Sequence, residues 1–189
     1  MSKFVHHLAV AATASLLVTG VVVAENLNVE LRRIDEKGAG EAIGTVTITQ
    51  QEGSAGDKAG LSFHVKAAKL PPGQHGFHVH EKGNCGPALK DGKQTAGEAA
   101  GGHYDPDGSK SHQGPTKAGH KGDLPALEVA GESIDQTVVA PRLKLADVQG
   151  KALIIHKGGD TYADEPKDGG GAERIACGVI PGAKQAEAR

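Results

Sequence analysis

The chain has no tryptophan, and only three phenylalanines and two tyrosines among 189 residues. So few rings offer little for stacking on bases. A formal charge of −2 supplies no basic surface for a phosphate backbone. Nucleic acid is therefore not an expected partner. Long helical periodicity is missing too, and no internal repeat is visible. Cysteine is limited to Cys85 and Cys177. Such an isolated pair is either one disulfide, which an oxidising compartment favours, or two buried thiols.

Acidic residues are absent from the first 24 positions. There Lys3 precedes an apolar run from Leu8 to Val23, closed by Val22-Val23-Ala24 before Glu25. This is the layout of a secretory signal peptide cleaved after Ala24. The run is short for a membrane span and is interrupted by Thr13, Ser15, Thr19 and Gly20. No cysteine near the cut could carry a lipid. The expected mature protein is exported and free of the membrane. Loss of Lys3 takes its formal charge from −2 to −3. Residues 25–189 suit a single domain with a short polar tail, Gly182 to Arg189.

What is abundant is glycine, 28 residues, and short β-branched runs. Period-two alternation predicts strands over 27–32, 43–50, 61–65, 76–81, 127–129, 134–139, 152–156 and 175–180. These imply an all-β fold, an eight-stranded antiparallel sandwich or flattened barrel. Arg142 to Val148 is expected to hold a helical turn. Residues 82–124 carry little strand or helix signal, and structureless connections of that length are usually functional. A second long connection spans 157–174.

Histidine placement bears on the chemistry. His6 and His7 leave with the signal. His78 and His80 flank Val79 on a strand, so both point to one face, roughly 6.5–7 Å apart along the chain. Val79 then faces the core. His103, His112, His120 and Asp123 lie in the long loop and form the kind of ligand set a tetrahedral zinc accepts. Gly122 is expected to let the backbone turn so that His120 and Asp123 converge. His156 ends an apolar strand, where a buried imidazole needs a partner. Six histidines and one aspartate are seven ligands for two four-coordinate ions, so one must bridge, and imidazole has two nitrogens. His103, between the two groups, is the bridge. The second ion then receives His78, His80, His103 and His156, a nitrogen set that favours Cu(II). His75 and His64 are expected to be structural and surface residues.

Gly76-Phe77-His78-Val79-His80-Glu81, Gly101-Gly102-His103-Tyr104-Asp105-Pro106, His120-Lys121-Gly122-Asp123, His156 and Arg174-Ile175-Ala176-Cys177-Gly178-Val179-Ile180 together resemble copper–zinc superoxide dismutase. The 85–103 and 155–160 segments are similar to its bacterial periplasmic branch. The resemblance implies a Greek-key barrel with two long functional loops. It also implies one copper and one zinc per chain, with superoxide as the small-molecule substrate and an antioxidant role in the periplasm. By the same resemblance, copper is held by His78, His80, His103 and His156, and zinc by His103, His112, His120 and Asp123. Arg174 attracts the anion, Asp160 hydrogen-bonds one ligand of each metal, and Cys85 pairs with Cys177. His103 and Arg174 are the catalytic side chains. Lys90, Lys93, Lys157 and Lys167 are candidates for steering superoxide. A metal carrier on the same fold would need neither Arg174 nor a bridging ligand. The resemblance leaves monomer and homodimer both open.

Overall fold

A computed structural model describes residues 26–53 and 59–183. The expected signal peptide and most of the polar tail lie outside the described residues. Among the described residues there are eleven strands: β1 (Asn26–Asp35), β2 (Gly38–Gln51), β3 (Gly60–Ala68), β4 (Gly73–His75), β5 (Phe77–His80), β6 (Ala88–Lys90), β7 (Lys93–Thr95), β8 (Leu127–Val129), β9 (Ser133–Ala140), β10 (Ala152–His156) and β11 (Arg174–Val179). The helical turn expected within 142–148 is α1, Leu145–Val148.

Seven strands form one antiparallel sheet in the order β5-β10-β11-β1-β2-β3-β9. β4 pairs with β8 in a separate ladder. Through Gly76, β4 runs on into β5 at one edge of the sheet, and a tight turn joins β8 to β9 at the other. The ladder therefore links the two edges, and the sheet curls into a flattened Greek-key barrel. The predicted eight runs all form strands. The long 82–124 connection is less bare than its sequence suggested: β6 and β7 make a small hairpin across Asp91-Gly92, both at positive φ.

Alternation sends one side chain in two inward. Leu27, Val29 and Leu31 of β1 and Phe63 and Val65 of β3 meet Phe77, Val79, Leu153 and Ile155 in the main core. Phe63 and Phe77 pack edge to face at 6.0 Å. Burying each such side chain contributes about 1.5–3 kcal/mol.

The opposite face of β5 and β10 is not wet, as alternation would have it. All residues of both strands are buried. Ala152 and Ile154 lie in a second cluster with Ile34, Ala100 and Cys177, beneath the long connection. Ile34 reaches it because register shifts around Arg32 interrupt the alternation of β1. A Cys85–Cys177 disulfide with a Cα–Cα distance of 5.7 Å staples the connection to β11. The loop thus roofs the face that carries His78, His80 and His156.

Candidate metal centre

β5 lies at an edge of the main sheet, so its outer backbone groups need partners. The long connection supplies them. Tyr104 N–H donates to Val79 O at 2.8 Å, Val79 N–H to Gly122 O at 2.9 Å, and Glu81 N–H to Gly102 O at 3.1 Å. These bonds set His103 opposite His80 and Asp123 opposite His78. On the other side, β10 pairs Ile154 with His78, and His156 follows two residues later on the same face. Backbone pairing alone therefore brings His78, His80, His103, Asp123 and His156 together.

Gly122 serves this pairing differently from expectation. Its φ is not in the left-handed region. Instead, a Cβ there would lie 2.3 Å from Val79 O and 2.8 Å from Tyr104 N. Close strand approach, rather than a sharp turn, is what requires glycine.

Ligating atoms of His78, His80, His103 and His156 lie within 4.8 Å of one another, and so do those of His78, His103, His112 and Asp123. His78 enters the second group because its ring lies against His103, with centroids 3.9 Å apart. His120 is nearby: its Nδ1 is 3.5 Å from Asp123 Oδ1. All seven residues meet in one place. Six are buried, and His120 is half-buried.

Each imidazole directs one nitrogen to a protein acceptor or inward. His78 Nε2–H donates to Asp160 Oδ2 and His112 Nε2–H to Asp160 Oδ1, both at 2.7 Å. His80 Nδ1–H donates to Gly101 O at 3.0 Å and His156 Nδ1–H to Ala172 O at 3.4 Å. His103 Nδ1 lies 3.1 Å from Asp123 Oδ1. Left over are His78 Nδ1, His80 Nε2 and His156 Nε2, enclosed and without a hydrogen-bond partner, and His112 Nδ1 and His120 Nδ1, enclosed and facing Asp123 Oδ1 at 3.0 and 3.5 Å. Three orphaned nitrogens on one side, and two more crowded on a single carboxylate on the other, are costly unless metal ions take their lone pairs. The residues present therefore fit two bound cations.

Electrostatics divide the cluster. Burial, and then the charge of His103, hold His78 and His80 well below the usual imidazole range and His156 at about 3. These three rings are neutral. Burial would lower His112 as well, but the Asp123 and Asp160 carboxylates override it and lift the ring to about 10. Asp123 raises His120 against its partial burial. Burial would push Asp123 up, yet His103, His112 and His120 pull it far below the carboxylate range.

Arg174, at the start of β11, is held beside His80. Its Nη1–H donates to Gly97 O at 2.7 Å and its Nη2–H to Gly101 O at 2.9 Å, the carbonyl His80 also uses. Lys90, Lys93 and Lys157 each face an acidic residue: Glu98 at 3.6 Å, Glu36 at 3.4 Å and Glu173 at 3.1 Å. The Lys167 side chain lies outside the described ones. His64 is an exposed strand residue against Asp135. His75 is buried, with its nitrogens on His156 O and Pro71 O at 2.7 and 2.8 Å.

Several supporting residues had no signal in the sequence. Asp164 accepts from His112 N–H at 2.6 Å and from Ser111 Oγ–H at 3.1 Å. Tyr162 stacks on His112 at 6.3 Å, and its hydroxyl accepts from Ala126 N–H at 2.7 Å. Arg142 donates to the carbonyls of Gly119 and His120. Each contact joins residues far apart along the chain, which no local pattern reveals.

A family model for copper/zinc superoxide dismutase (SODC) matches residues 42–180. The Escherichia coli K12 protein "Superoxide dismutase [Cu-Zn]" is 49% identical over 174 residues, covering 90% of this chain and 96% of that one. The structure of the Brucella abortus Cu/Zn superoxide dismutase has a TM-score of 0.77 at 46% identity, over 82% of this chain and 99% of that one. The solution structure of the monomeric copper, zinc enzyme from Salmonella enterica gives 0.71 at 48%, with the same coverages. Identities this high over nearly the whole length of each relative leave one assignment: the chain belongs to the copper/zinc superoxide dismutase family.

Proposed function

We propose that this chain dismutes superoxide to oxygen and hydrogen peroxide at a copper–zinc centre, outside the cytoplasm. The observation that carries the proposal is the convergence of five enclosed ring nitrogens around His103, three without any protein partner and two against Asp123 Oδ1. His78 Nδ1, His80 Nε2, His156 Nε2 and His103 would hold copper. His103 Nδ1, His112 Nδ1, His120 Nδ1 and Asp123 would hold zinc. His120 rather than His78 completes the zinc set, because the free nitrogen of His78 belongs to the four-histidine group while Nε2 is taken by Asp160. The Cys85–Cys177 disulfide supports an oxidising compartment.

When bound, copper supplies a one-electron couple and zinc a redox-inert anchor for the bridge. The chain's own residues do the rest. Neutral His78, His80 and His156 accept a cation without first losing a proton. Arg174, always charged, binds superoxide with its fork of donors. The carbonyls of Gly97 and Gly101 fix the guanidinium plane before the anion arrives. With Nδ1 of His103 on the zinc side, its Nε2 would hold a proton whenever that nitrogen is not engaged with copper. Asp160, joining His78 to His112, holds both rings in the tautomer that turns Nδ1 inward.

The test is superoxide decay followed by stopped flow with the mature, copper- and zinc-loaded protein. Catalytic decay is expected, and Arg174→Ala should lower kcat/KM roughly 10- to 100-fold, the worth of a charge-assisted contact. Absence of catalysis in the fully loaded protein would refute the assignment.

A further inference from the structure

We infer that Glu98 is a specificity-determining residue that weakens anion binding at Arg174 and disfavours multiply charged anions against a monoanion. The inference rests on the anion-binding role proposed for Arg174.

Glu98 opens a 3-10 turn, Glu98–Ala100, between Gly97 at φ 64 and Gly101 at φ 78. The turn is tightly fitted. A Cβ on Gly97 would lie 2.7 Å from Ile34 Cδ1 and 3.3 Å from Arg174 Cδ. The two glycine carbonyls are neutral acceptors, and they orient the guanidinium without cancelling its charge. Glu98 is different. Its Oε2 stands 3.5 Å from Arg174 Nη2 and 3.6 Å from Lys90 Nζ. That oxygen is enclosed and makes no hydrogen bond. A carboxylate serving only to clamp arginine would form the paired fork that guanidinium favours. Glu98 does not, so its influence on Arg174 is Coulombic.

A negative charge beside an anion-binding cation opposes every incoming anion, in proportion to that anion's charge. In the logarithm of affinity, a dianion is penalised twice as much as a monoanion. Superoxide is a small monoanion, whereas phosphate in mildly alkaline solution is largely a dianion. Glu98 therefore gives up some attraction for superoxide to keep polyvalent anions off Arg174. At about 7 Å, in an effective dielectric of about 40–80, one unit charge changes monoanion affinity roughly 3- to 7-fold and dianion affinity by about the square of that.

The experiment uses the mature protein loaded with copper and zinc, as wild type, Glu98→Gln, Glu98→Ala and Arg174→Gln. Azide dissociation constants are read from the visible copper spectrum, and phosphate constants by competition with azide, in mildly alkaline buffer at low and high salt. Both Glu98 variants should bind azide about 3- to 7-fold tighter and phosphate more strongly still. The gain should shrink as salt screens the charge. A merely structural role would not tighten binding, grade it by anion charge or make it salt-sensitive. Unchanged or weaker affinity in both Glu98 variants, or an equal gain for azide and phosphate, overturns the inference. The Arg174 role fails separately, if Arg174→Gln leaves phosphate affinity unchanged.

Discussion

Asp160 ties the two halves of the centre together, and its replacement by asparagine isolates that link. One carboxylate accepts His78 Nε2–H on Oδ2, and His112 Nε2–H and Tyr162 N–H on Oδ1, at 2.7, 2.7 and 2.8 Å. The group is buried, so no bulk water replaces a lost partner. An asparagine at this position would retain one acceptor oxygen. Its amide nitrogen would face an N–H donor, whichever way the side chain turned. One imidazole then loses its anchor, and both lose the carboxylate charge that makes them better ligands. Loss of such an outer partner weakens metal affinity roughly 10- to 100-fold. Competition with chelators of known affinity, titrated separately for copper and zinc, measures the effect at each metal. We expect Asp160→Asn to weaken zinc within that range and copper as well, with the Cys85–Cys177 bridge intact. Wild-type affinity for both metals in the variant would refute the reasoning that Asp160 supports the ligands.

The disulfide closes a loop with a sequence separation of 92. Chain entropy assigns it about 4–5 kcal/mol, so Cys85→Ser/Cys177→Ser should lose several kcal/mol in denaturant titration; a loss under about 1 kcal/mol would show that the bridge constrains little. Metal loading should differ in its protons. In the metal-free protein His112, raised to about 10, is protonated at pH 7, while His78, His80 and His156 are neutral. If His112 holds zinc as proposed, zinc binding should release at least one proton from it and strengthen as pH rises toward about 10, whereas copper binding at the three neutral rings should release none. Calorimetry in buffers of different ionisation enthalpy measures this, and zinc uptake without proton release would contradict it. The same groups bear on stability without metal. His156, at about 3 when folded and near 6.5 when unfolded, binds more protons in the unfolded chain between those values. Folding stability should therefore fall as pH drops through that window. His112 has the opposite sense: its contribution is present below about 6.5 and is lost as pH rises through about 10.

How much of this was legible in the sequence depended on how local each feature is. The His78-Val79-His80 alternation needs only a strand, so the division between histidine face and core face could be read directly. The strand cores of β1, β2, β3 and β9 were equally visible, because their outer face is wet. β10 was legible as a strand but not as one buried on both faces. Its outer cover, Ala100 and the disulfide-tethered loop, comes from far along the chain. The reason for Gly122 is hidden on the same account: it touches Val79 and Tyr104 across a pairing that has no sequence signature. The β6–β7 hairpin lacks apolar alternation, since it rests on the surface rather than in the core. Asp164, Tyr162 and Glu98 reach these residues from far along the chain or from within an irregular loop, and only the fold brings them together.

The bridging histidine is the claim on which the two-metal reading stands. In this proposal His103 would hold both metals, so removing zinc alone would alter the electronic environment of copper. We predict that selective zinc removal shifts the visible and electron paramagnetic resonance spectra of the copper-loaded wild type. In His103→Ala, zinc removal should leave the copper spectra unchanged. Copper spectra indifferent to zinc in the wild type would contradict the bridge.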